Sequence, residues 1–189
     1  MGLPVPGELD QRPRALVEQA CERLGRGAVV AWCVALLEQR TAPDDPEQPS
    51  LTWIGGRHAA ALLRAGGLDR PEQAYWPRVW AARALRYAWL PEAGPAVVRA
   101  LADPSWRVRE TAAKLAAIHE LAGAVELLEA LTADGAARVR AASVRGLGAV
   151  GEGEHAAPIR VALDDPEPAV ALAARRALAE LCRRLDREL

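Results

Sequence analysis

The chain has 189 residues, of which 24 are basic and 25 acidic, and its net charge of −1 supplies no global attraction to nucleic acid or to an anionic membrane. Just over half of it, 51%, is hydrophobic, enough for a real core. Ala, Leu and Val provide most of that share and Phe is absent, which favours closely packed helices over strands.

From the N-terminus, Met1 to Pro6 shows no charged-then-apolar leader pattern, and Pro6 stands where an acylation signal needs Ser or Thr. Helices are expected at about residues 8–24, 27–40 and 51–65, the last two separated by a Pro-rich loop over 41–50. The longest apolar run, Ala28 to Leu37, is half of the ~20 residues that a bilayer crossing requires. A soluble, cytoplasmic protein is expected, without membrane contact. Cys21, Cys33 and Cys182 have neither metal-knuckle nor redox spacing and read as buried free thiols.

Beyond residue 70 a repeat governs the chain. Val108-Arg109-Glu110-Thr111-Ala112-Ala113-Lys114-Leu115-Ala116 aligns without gaps to the segments starting at Val139 and Val170, with a step of 31 residues each time. Pro77-Arg78-Val79-Trp80-Ala81-Ala82-Arg83-Ala84-Leu85 is a weaker copy in the same phase. The preceding loops keep the step as well, in Asp103-Pro104, Asp134-Gly135 and Asp165-Pro166. Each Asp is expected to accept from free amides of the following first helical turn.

At 100° per residue, Val108, Ala112, Leu115 and Ala116 share one arc and face a core. Arg109 and Arg140 lie at its edge, where a half-buried guanidinium needs a loop carboxylate. Shorter helices are expected at 95–101, 123–131 and 155–163. The fold class is therefore all-α, an α-solenoid of stacked antiparallel helix pairs, in which each pair buries its apolar face on the next. One domain spans 1–189, with irregular helices and a cap over 1–70 and regular repeats over 71–189.

The run Asp-Pro-x-x-x-Val-Arg-x-x-Ala-x-x-Ala-Leu resembles the short HEAT repeat, especially the bacterial class found in phycobilin lyase-like proteins. The resemblance implies a ladder of Asp and Arg through the stack, carried here by Asp103, Arg109, Asp134 and Arg140, with Arg78 upstream. Ala171 interrupts the Arg series in the last copy, as suits a terminal repeat, and the segment from Arg183 to Glu188 reads as a polar cap.

Two patterns are candidate sites. Trp76, Trp80 and Tyr87 form a helical strip beside Arg83, and such residue types are enriched at binding hot spots. The competing role for this strip is packing against the N-terminal helices that carry Trp32 and Trp53. One basic residue per repeat, Arg83, Lys114, Arg145 and Arg176, is expected to form an outward row, either a solvated face or a phosphate track.

His58, His119 and His155 are too scattered for the iron site of deoxyhypusine hydroxylase, which also rests on HEAT-like repeats, and no cofactor is expected. The serines lack a base or a glycine elbow. Gly146, Gly148 and Gly151 read as turn residues closing a helix, not as a phosphate fingerprint. The expected function is non-catalytic: a scaffold that holds a protein or peptide on its short-helix face, near Val98, Glu129 and Arg160, or on the aromatic strip. The alternatives are a nucleic-acid-binding relative of the alkylpurine DNA glycosylases and a tetrapyrrole or small-molecule handler resembling the phycobilin lyases.

Overall fold

Helices and their connections make up the computed structural model, which describes residues 4–188 apart from the side chain of Asp69; no strand occurs among them. The leader and acylation reading that begins at Met1–Leu3 lies outside the described residues. The chain clusters into two compact units, 1–96 and 97–189.

The first unit contains α1 (Pro13–Leu24), α2 (Arg26–Leu37), α3 (Thr52–Arg64) and α4 (Trp76–Leu85). Helix α1 starts later than expected because Pro13 occupies its first turn, where no amide hydrogen is needed. Gly25, at φ 87°, joins α1 to α2 in a single residue. Helix α3 is kinked at Gly56, whose φ of 56° and ψ of −142° leave the helical region. A Cβ at Gly56 would sit 3.0 Å from the Leu9 carbonyl oxygen, so only glycine admits the approach.

Helix α1 packs on α2 and α3, and α2 packs on α4. The weak first repeat copy is thus bound into the N-terminal bundle. That places the division at 96/97, whereas the repeat pattern alone puts the change at 70/71. Leu16, Val29, Trp32, Cys33, Trp53, Ile54, Trp80 and Leu85 fill this core.

Helix α5 (Gly94–Ala100) leads into the second unit, with α6 (Trp106–Ile118), α7 (Val125–Ala130), α8 (Ala137–Val150), α9 (Ala156–Val161) and α10 (Pro168–Leu185). The long helices stack α6 on α8 and α8 on α10, while α7 lies against α8 and α9 against α10. Val108, Val139 and Val170 are each 0% exposed and occupy equivalent positions, the solenoid register that the 31-residue step implies. Tight 3-10 turns at 122–124 and 153–155 introduce the short helices.

Gly146 and Gly148 do not belong to a turn; they lie inside α8, and Gly151 ends it. A Cβ on Gly148 would fall 2.8 Å from both the Cα and the carbonyl oxygen of Ala177, so this glycine sets the spacing of α8 and α10. One on Gly146 would meet the Leu128 side chain at 2.8 Å, the bulk that fills this place from α7. Helix packing therefore explains glycines that local pattern assigns to a turn.

Candidate functional site

The loop aspartates act two residues earlier than a helix cap would. The carboxylate of Asp103 accepts from the Ser105 amide at 2.7 Å, that of Asp134 from Ala136 at 2.8 Å, and that of Asp165 from Glu167 at 2.9 Å. These are Asx turns, which fix the residue just before each helix rather than satisfying first-turn amides. The expectation of direct capping is corrected accordingly.

At Asp134 and Asp165 this turn leaves the rest of the carboxylate for an arginine of the preceding repeat. Arg109 donates from Nε to Asp134 at 2.7 Å and from Nη1 to the backbone carbonyl of Asp103 at 2.8 Å. Arg140 repeats the arrangement one step on, giving Nε and Nη2 to Asp165 at 2.7 and 2.8 Å and Nη1 to the Asp134 carbonyl at 3.0 Å. Each guanidinium ties its own loop to the next one. Asp165 is a rung partner that the resemblance left unassigned, although its loop keeps the 31-residue step. Arg78 donates to the Ala74 carbonyl at 3.2 Å.

Both paired carboxyls are held below their ordinary pKa. At Asp134 burial opposes ionisation, but the Arg109 hydrogen bond, the Ala136 amide and the charges of Arg109 and Arg140 outweigh it. At Asp165 the Arg140 hydrogen bond dominates against a smaller effect of burial.

The aromatic strip goes inward. Trp80 is 1% exposed, its ring centroid 5.8 Å from that of Trp76 and 5.3 Å from that of His58. A Cβ on Gly55 would come within 2.8 Å of the Trp80 ring, so α3 is shaped to receive it. Trp76 and Tyr87 are half-buried, and the Tyr87 carbonyl accepts from Arg26. Assigning Trp80 to a partner surface is corrected by this burial: the ring is an anchor for α3.

The outward basic row is also shorter than expected. Lys114, Arg145 and Arg176 are exposed, with Lys114 paired to Glu110 at 2.6 Å. Arg83 is half-buried: its Nη2 donates to the Ile54 carbonyl at 2.9 Å, and its Nε is buried without a hydrogen-bond partner.

The histidines go separate ways. His58 packs on the tryptophans and His119 caps the end of α6. His155 accepts at Nδ1 from the Glu152 amide at 2.8 Å, in a capping box. Among the described residues, no group of three His, Cys, Asp or Glu could hold a metal ion. Of the cysteines only Cys33 is fully buried, which pushes its thiol pKa far up; Cys21 and Cys182 are partly exposed, correcting the reading of three buried thiols. No helix among the described residues is long and apolar enough to cross a membrane.

A recess opens along the long helices of the second unit. Ala137, Ala141 and Ala169 line it together with charges of both signs, Glu110 and Glu167 against Arg138 and Arg145. Arg138 also lies over the Trp106 ring, 6.0 Å from its centroid, while Arg107 covers the ring at 4.4 Å. On the short-helix side, Val98 is half-buried, and Glu129 and Arg160 are exposed. The recess was not legible beforehand, because its small residues come from α8 and α10 and look like ordinary helix formers.

Family comparison places two matches in this half of the chain. A model described as HEAT repeats matches residues 124–188, and one described as HEAT repeat matches residues 94–115. Comparison with curated proteins found no match.

Proposed function

From the premise that this chain is a HEAT-repeat protein, we propose that it is a non-catalytic scaffold that binds a protein or peptide partner, and that the partner seats in the recess of the second unit. The recess carries the reading. Its alanines let a polypeptide backbone approach closely, and its walls alternate in sign within one short stretch. A segment with both acidic and basic side chains complements such walls, and a polyanion does not. Trp106 and Arg138 beside it are of the types that dominate interface energetics. HEAT-type stacks supply rigid extended surfaces of this kind, and the laddered loops hold the long helices in fixed register. A cytoplasmic location accords with this role.

The test is photo-crosslinking from position 138, an exposed site, in native cytosol. One protein should be captured by the otherwise wild-type chain and lost when Glu167→Arg and Arg145→Glu reverse the walls. Recovery of nucleic acid instead, with affinity falling roughly a thousandfold between 50 and 200 mM salt, would replace this reading by the nucleic-acid one.

A further inference from the structure

A cleft in the first unit, at the kink of α3, is chemically unlike the recess. Its volume is about 340 Å³, within the range of small-molecule sites. Leu9, Pro13 and Ile54 form an apolar side, and Asp10, Arg57 and Arg83 form a polar one.

Arg83 sets the cleft apart. The half-buried guanidiniums of the ladder, Arg109 and Arg140, each hold a carboxylate at 2.7 Å, whereas Arg83 lies outside the ladder, in the phase of Lys114 and Arg145. Arg83 has the Ile54 carbonyl as its hydrogen-bond acceptor and, among the described residues, pairs with no carboxylate. Burial accordingly holds its pKa below the usual guanidinium value. A charge withdrawn from water without a counter-ion is costly, and here it borders an open cleft.

The neighbouring charges fix the valence of what would complete it. Arg57 and Asp10 pair at 3.1 Å and cancel, leaving one positive charge uncompensated. A dianion such as phosphate would face Asp10 with charge to spare. A planar carboxylate matches the guanidinium fork, and the apolar side suits a hydrocarbon body.

We propose that this cleft binds a small monocarboxylate with an apolar body, its carboxylate seated at Arg83 and its body against Leu9, Pro13 and Ile54. The site lies in the first unit and is independent of the partner recess.

The experiment titrates a set of straight-chain and aryl monocarboxylates, 3-phenylpropionate among them, against the full chain by saturation-transfer NMR and thermal shift. Its controls are 3-phenylpropanol and inorganic phosphate. At least one carboxylate should bind and raise the melting temperature with concentration, and the alcohol should not. Arg83→Met should weaken binding at least tenfold. Asp10→Asn, at an exposed position that leaves folding intact, should tighten it several-fold. Failure of every carboxylate to bind, equal binding by the alcohol, an unchanged affinity in Asp10→Asn or displacement by phosphate would each overturn the proposal.

Discussion

Arg140 grips Asp165 side-on, with Nε 2.7 Å from one carboxylate oxygen and Nη2 2.8 Å from the other, while its Nη1 reaches back to the Asp134 carbonyl. The same guanidinium therefore serves two loops, and removing a carboxylate strips one half of a shared clamp. The Asp134 side chain is 6% exposed and that of its partner Arg109 is 19% exposed, so the vacated guanidinium would remain largely out of water.

Asp134→Ala is expected to destabilise the second unit by about 2–4 kcal/mol, combining a lost Asx turn with a partly buried charge left unpaired. Arg145→Ala, on an exposed position, should stay within about 0.5 kcal/mol. Urea denaturation of both variants makes the comparison, and equal midpoints would sink the assignment of rung and outer face.

Acid should weaken the stack for the same reason. The Asp134 and Asp165 carboxyls have depressed pKa values in the folded state, so the unfolded chain binds protons more readily. Their contribution is fully present above the ordinary Asp value of about 4 and is lost as pH falls through the lower folded values. The melting temperature should drop on acidification below about pH 4, with a shallower slope in Asp134→Asn. A slope identical in the two proteins would show that the rung does not titrate with folding.

Ser143 is 0% exposed in α8, and its hydroxyl has no hydrogen-bond partner. The equivalent places in the flanking repeats hold Ala112 and Ala174, both also 0% exposed. Ser143→Ala removes an unsatisfied buried group and improves helix propensity, so it should be neutral or stabilising by up to about 1 kcal/mol. Calorimetry decides, and a loss above about 1 kcal/mol would mean that the hydroxyl is engaged.

Gly148→Ala should do the opposite, although alanine is the better helix former. Its methyl would sit 2.8 Å from backbone atoms of Ala177, which cannot rotate away as a side chain can. Overpacking of this kind costs about 1–3 kcal/mol. Gly146→Ala meets only the flexible end of Leu128 and should cost less. Reversal of that order in thermal melts would show that α8 and α10 are not held at glycine spacing.

The repeat was legible because Val108, Val139 and Val170 recur with the same neighbours, and a fixed step forces equivalent environments. The direction of the ladder was less so: a guanidinium at the edge of an arc has loop carboxylates before and after it, and only stacking selects the later one. For Trp80 the difficulty was its partner. Gly55 belongs to no repeat, so nothing in the 31-residue pattern marks it as the place where the ring lands. Arg83 shares the phase of Lys114 and Arg145, and so pattern placed it outside; the irregular α3 beside it takes it in.

The two rungs also bear on how this half of the chain is built. Arg109 and Asp134 are 25 residues apart in sequence, as are Arg140 and Asp165. Loop-closure entropy is smaller for a separation of this size than for pairings across the whole chain, and such short separations keep contact order low. Assembly can therefore proceed as a zipper, each clamp closing once the next loop has emerged from the ribosome. Arg109 waits only for the next short helix and its following loop to emerge before Asp134 arrives, so the stack can grow in step with translation instead of awaiting release of the whole chain.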